Sequence, residues 1–255
     1  MISKWTIVLS CTLVVFCESA YVETLQKCAI DDPACLKGLI QNVLSDIGKG
    51  GIEEYGLAPV DPLEIKDLKV SILELMTINI VEGEVRGIKD CVIDNIVSDA
   101  KERRFVIEVT CDLNIKVKVK LGELSPYVQN EFGSKSVEGG GNAKIKLDKL
   151  HVKLEYFYDI IKKEDGETYI KCKSEKTVFE YQIGEAKVVV DKLLFGDEDF
   201  TEQVNGYFEK NWNFAIKTFG KSVFDLALDI LNNIIHTFFD KTPTKYFITN
   251  ELSIS

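Results

Sequence analysis

Between Phe105 and Leu121 the chain alternates apolar and polar side chains. Phe105, Ile107, Val109, Cys111, Leu113, Ile115, Val117, Val119 and Leu121 share one parity; Arg104, Glu108, Thr110, Asp112, Asn114, Lys116, Lys118 and Lys120 share the other. Period-two alternation predicts a strand with one face on a core and one face in water. The 17 residues from 105 to 121 span about 55 Å at ~3.3 Å each, well beyond an ordinary strand, so the sheet has to be long and coiled. The same period dominates from Leu63 to about Phe195. Polar or glycine-rich stretches at 98–103, 133–142 and 162–167 read as turns, Gly139-Gly140-Gly141 among them, and the whole predicts a meander of long antiparallel strands. Around 150–160 the apolar parity holds Leu150, Val152, Leu154, Tyr156, Tyr158 and Ile160, opposite His151, Lys153, Glu155 and Asp159.

The period changes at both ends of this region. Leu36, Leu39, Ile40, Val43, Leu44 and Ile47 recur at helical spacing over 33–48, with Asp32-Pro33 as a start and Gly48, Gly50 and Gly51 as a stop. The stretch GLAPVDPLEI then holds Ala58 and Asp61 extended before prolines and reads as an ordered linker. After Phe195, residues Phe200, Val204, Phe208, Trp212, Ala215, Phe219, Val223, Ala227, Ile230, Ile234 and Phe238 recur every three or four positions. Forty such residues make a helix of about 60 Å, matching the strands. Asp197 or Asp199 can cap its start, and Pro243 stops any continuation beyond Lys241. A second set, Tyr207, Ile216, Phe224, Leu231 and Ile235, widens the stripe so far that sheet should wrap the helix on more than one side. The pattern predicts an elongated α+β fold, a long C-terminal helix against a strongly curved antiparallel sheet.

Composition then limits the setting. The chain has 255 residues, 45% hydrophobic and 28% charged, enough for one large core. Residues 1–20 pair Lys4 with the apolar run Ile7–Phe16 and the small residues Cys17, Ser19 and Ala20, which reads as a secretory signal peptide. Residues 21–255 are then one secreted domain with no further segment apolar enough to span a bilayer. Removal of Lys4 and Glu18 together leaves the net charge at −10, so nucleic acid and anionic lipid surfaces are poor partners. A monomer without stable membrane insertion is expected.

Seven cysteines become five when Cys11 and Cys17 leave with the leader, and an oxidising compartment makes disulfides the expected use of the rest. Cys28 and Cys35 enclose AIDDPA as a small staple; with no nearby histidine they make a poor zinc site. Cys91 and Cys111 lie symmetrically about the 98–103 turn and would face each other in a hairpin. Cys172 is left over. No Asn-X-Ser/Thr sequon occurs.

Candidate chemistry is sparse. The histidines are His151 and His236, and no Gly-X-Ser-X-Gly, HExxH or phosphate-cradling glycine loop is present, so neither catalysis nor a cofactor or metal is expected. Tyr156 and Tyr158 place hydroxyls on an apolar face; they meet either a buried partner, such as the oxygen of a bound ligand, or water at the end of the sheet. Tyr181, beside Phe179 and Ile183, poses the same alternative. The candidate wall of a lipophile site is Val152, Leu154, Tyr156 and Tyr158, with Val109, Leu113 and Val117 from the 105–121 strand and Phe208, Trp212, Phe219 and Val223 from the helix.

The ordered features Cys28, Cys35, Gly56, Pro59, Asp61-Pro62-Leu63, then Phe195-Gly196-Asp197 and Glu209-Lys210-Asn211-Trp212, resemble the insect takeout and haemolymph juvenile hormone-binding protein family across the mature chain. The helix motif keeps Asn-Trp and loses the family's first Asn. The resemblance implies a fold like one half of bactericidal/permeability-increasing protein, with an apolar tunnel, and a carrier of juvenile hormone or another long lipophile such as a fatty acid, terpenoid or quinone in haemolymph or other extracellular fluid. Takeout-type members are linked to circadian output and feeding, which leaves a signalling role through a protein partner as the alternative. Hormone-binding members carry a second disulfide in their later half, where this chain has only Cys172, so the resemblance favours a takeout-like member.

Overall fold

The computed structural model describes residues 20–132, 139–195 and 198–254. Residues 1–19 of the expected signal peptide, with Gly196 and Asp197, lie outside them, as does the side chain of Phe219.

The first helix, α1 (Pro33–Lys49), starts where Asp32 accepts the Cys35 N–H at 3.0 Å and where Pro33 occupies a position that needs no intrahelical donor. It buries Leu36, Leu39 and Ile47. A long meander comes next: β1 (Leu63–Ile72), β2 (Met76–Arg86), β3 (Val92–Asp99), β4 (Arg104–Leu124), β5 (Gly139–Lys162), β6 (Thr168–Cys172), β7 (Val178–Phe195) and β8 (Glu198–Asp199), with a short helix, α2 (Pro126–Phe132), between β4 and β5. The strands pair antiparallel in the order β1-β2-β4-β5-β7-β8, with β3 on β4 and β6 on β5. The chain closes with α3 (Thr201–Lys241), whose backbone leaves helical geometry at Asn211, φ −130° and ψ 20°. At its start Asp199 accepts the Thr201 N–H at 2.9 Å.

Gly139, Gly140 and Gly141 correct the turn expected there. They are the first residues of β5, paired with Phe195, Leu194 and Leu193 of β7. A Cβ on Gly141 would overlap the carbonyl oxygen of Lys192, and one on Gly140 that of Val119, so glycine is needed here for close backbone approach.

Irregularities in the ladders change which parity faces inward. Between Cys111 and Leu113, β5 contributes both Asp148 and Lys149 opposite Asp112, and Lys149 takes a φ of 53°. The Lys149 N–H donates to Asp112 at 2.8 Å. This bulge moves the buried set of β5 from Leu147 to Leu150, Val152 and Leu154. The pattern of β7 shifts at the same level, from Tyr181 and Ile183 to Ala186 and Val190, and β2 has its own register shift between Ile80 and Glu82.

The edge of β3 is covered by a side chain. Gln41 of α1 donates to the Cys91 carbonyl and accepts the Ile93 N–H, each at 2.9 Å, as a neighbouring strand would. Cys91 is bonded to Cys111 directly across the β3–β4 pairing, and Cys28 to Cys35. The Cys28 backbone also pairs with Phe247 and Thr249 of the tail, at 2.9 Å each, tying the two ends of the domain together. Asp61 of the linker is 4% exposed and accepts the N–H groups of Gly87 and Lys89 at 2.9 and 3.1 Å, which fixes the start of β1 beside the end of β2.

Candidate apolar ligand site

The sheet has an inside because both ends of its strand order meet one helix. α3 packs against β7 and β6, and also against β1 at the opposite edge. The sheet is therefore curled round α3 without closing. From Trp212 onward the helix presents Trp212, Ile216, Phe224, Leu228, Leu231, Ile235 and Phe239 to the core. Both apolar sets contribute to the interior: Ile216, Phe224, Leu231 and Ile235 of the second set and Trp212 of the first pack in the main core, and Ala215 and Phe238 of the first are buried, whereas Val223, expected to line the site, is 46% exposed and Tyr207 of the second set 42%. On a stripe so wide either set can be buried, and the curl of the sheet decides position by position.

The concave space differs along its length. Toward β6, the inward residues Leu150, Val152, Leu154, Tyr156, Tyr158 and Ile160 are all buried and pack with Ile170, Cys172 and Phe224. The Tyr181 ring stacks on Phe224 with centroids 3.8 Å apart. Toward the other end, Leu113, Ile115, Val117, Val119 and Leu121 of β4 and Ile78 and Ile80 of β2 are only half-buried although they carry the inward parity; Val204 and Phe208 of α3 are half-buried as well. Of the residues expected to line a site, Val152, Leu154, Tyr156, Tyr158, Val109, Leu113 and Trp212 share the main core cluster, while Val117 and Phe208 lie half-buried outside it.

The hydroxyl of Tyr156 donates to Asn232 Oδ1 of α3 at 3.0 Å. Its partner is thus within the protein, and burial pushes its phenol upward. Burial also raises Tyr158, with Arg103 acting in the lowering direction. Asn232 was not legible from periodicity, since its partner stands on a strand 76 residues earlier. The free thiol of Cys172 is buried and pushed up to about 12 by desolvation.

Two polar constellations involve the histidines. Ser174 Oγ hydrogen-bonds to His236 Nε2 beside a cleft of about 420 Å³ lined by Ile161, Ile170, Lys171, His236, Thr237 and Asp240. His151 lies on the outer face between Asp94, at 3.4 Å, and Glu108, at 3.8 Å. Among the described residues no group of three or more His, Cys, Asp or Glu is placed to hold a metal, and no helix is long and apolar enough to cross a membrane.

Comparison with known proteins gives this geometry its relatives. The fold is similar to the crystal structure of Epiphyas postvittana Takeout 1, with a TM-score of 0.74 and 22% identity over 89% of this chain and 100% of that one. The sequence is 26% identical to a juvenile hormone-binding protein of Manduca sexta over 218 residues, 82% of this chain and 89% of the relative. Residues 6–249 match the family described as haemolymph juvenile hormone binding protein. With the curled sheet, its central helix and the two cysteine pairs all present, the chain belongs to the takeout and haemolymph juvenile hormone-binding protein family.

Proposed function

We propose that this protein is a secreted, non-enzymatic carrier that holds one long hydrophobic molecule between the inner face of its sheet and α3. The observation that carries this reading is the half-buried inward row Leu113, Ile115, Val117, Val119 and Leu121. Inward apolar side chains that keep accessible surface line a space, whereas the buried row on β5 fills one. Such concavities with few polar groups suit small lipophiles. Each buried CH₂ of a ligand contributes roughly 0.8 kcal/mol, so a chain of ten or so carbons outweighs any single hydrogen bond of about 1 kcal/mol. Juvenile hormone, fatty acids, other terpenoids and quinones all meet this requirement, and Cys172 standing alone in the later half favours a takeout-like member over the hormone carrier itself.

Native mass spectrometry of the secreted protein should show one lipid-like adduct per chain, and an apolar fluorescent probe should titrate to one site and be displaced by the extracted lipid. A protein that carries no adduct and binds no probe is not a carrier. Signalling through a protein partner would then be the reading left standing.

A further inference from the structure

α3 is one helix by hydrogen bonding but two segments by geometry. At Asn211 the backbone leaves the helical region. The Asn211 side-chain amide donates to the carbonyl of Tyr207, one turn back, at 3.1 Å, so that carbonyl keeps a partner where the helix breaks. A break stabilised by its own side chain is a built feature, because an unserved carbonyl would favour closing the helix.

The segment before the break is attached in a different way from the segment after it. Beyond Trp212 the helix is held by apolar packing against the core. Thr201–Lys210 is held to β7 by polar contacts. Asn205 Oδ1 accepts the Val190 N–H at 2.7 Å and its Nδ2 donates to the Val190 carbonyl at 2.9 Å. Thr201 Oγ accepts the Leu193 N–H at 2.9 Å. Asn205 thus takes the place of a next-strand residue at a bend in β7, where the register with β5 shifts between Asn142 and Ala143. Hydrogen bonds of this kind are satisfied equally by water when they part, whereas apolar packing is not. Val204 and Phe208 of this segment are both half-buried.

We propose that Thr201–Lys210 is a lid that turns about Asn211, with the Asn205–Val190 pair as its catch, and that its opening admits a lipophile to the concave space. What passes the lid rests on the carrier reading; the motion does not.

The test combines hydrogen exchange read by mass spectrometry with stopped-flow binding of N-phenyl-1-naphthylamine, on the whole protein and on Asn205→Ala and Asn211→Leu. Losing both catch bonds should raise exchange within 201–210 about tenfold or more while 212–241 keeps its protection, a factor built from two hydrogen bonds of ordinary net strength. Association and dissociation of the probe should accelerate together by a similar factor, leaving the equilibrium constant nearly fixed. Asn211→Leu, which favours an unbroken helix, should slow both. Exchange that rises throughout α3, or rises in 201–210 without a change in probe rates, overturns the lid as an entrance. If no variant binds the probe, the carrier reading falls, and localised exchange alone decides whether the segment moves as a unit.

Discussion

Tyr156 on β5 gives its hydroxyl proton to Asn232 on α3 at 3.0 Å, a polar bridge between the buried face of that strand and the helix it packs on. Because that proton is committed, Tyr156 can only accept from a ligand. Tyr156→Phe leaves the Asn232 carbonyl oxygen without its donor and should lower stability by about 1–2 kcal/mol in urea unfolding. Because this end of the concave space is filled, Tyr156→Phe and Asn232→Leu should shift binding of an oxygenated lipophile and of its hydrocarbon analogue by the same small factor. If Tyr158→Phe instead is the change that separates the two ligands, the polar anchor lies at the hairpin end of the sheet.

The buried thiol of Cys172 yields a pH prediction. Its folded value of about 12 stands above the ~8.5 of an unfolded thiol. Between those values the unfolded chain has lost a proton that the folded chain keeps, so stability falls as pH rises above ~8.5, by up to about 1.4 kcal/mol per unit from this group. The difference in unfolding free energy between the native protein and Cys172→Ala should carry that slope. At pH 8 the folded thiolate fraction is about 10⁻⁴, so a thiol reagent should label Cys172 only after denaturation. Rapid labelling of the native protein would show that the site opens locally.

The two disulfides should differ in worth. Cys91–Cys111 spans 20 residues and Cys28–Cys35 spans 7. Loop-closure entropy assigns about 3 kcal/mol to the longer and about 2 kcal/mol to the shorter. Paired Cys→Ala variants compared by denaturant unfolding should rank in that order.

Gly141 and Gly206 should respond oppositely to alanine. At Gly141 the added carbon meets the Lys192 carbonyl, so Gly141→Ala should separate β5 from β7 locally and cost about 3 kcal/mol or more. Gly206 lies in α3 with no neighbour within 4 Å of a built Cβ, and alanine there should stabilise by up to about 1 kcal/mol. Thermal denaturation of both variants checks the pair.

Much of this arrangement can be read from the chain. Alternation over 105–121 marks β4, which runs to Leu124. Three- and four-residue spacing, with Pro243 as the stop, marks α3 and its end at Lys241. The equal spacing of Cys91 and Cys111 about a turn anticipates their place opposite one another. These features are local: a strand's faces, a helix's stripe and a hairpin's symmetry follow from backbone periodicity, whatever the rest of the chain does.

Tertiary structure decided what depends on contact between distant segments. The glycine run at 139–141 looks like a turn by composition and is a strand because two neighbouring backbones approach it closely. The bulge at Lys149 inserts a residue that leaves a period-two pattern on either side of it, so the reversal of inward parity shows only against β4. Val223 and Phe224 are adjacent on a stripe broad enough to bury either, and the curl of the sheet from β1 to β7 makes Phe224 the buried one. Asn232 becomes a partner of Tyr156 for the same reason. Periodicity tells which side chains can face a core, but which of them do is set by the partner surface, and that surface exists only once both edges of the sheet have closed on α3.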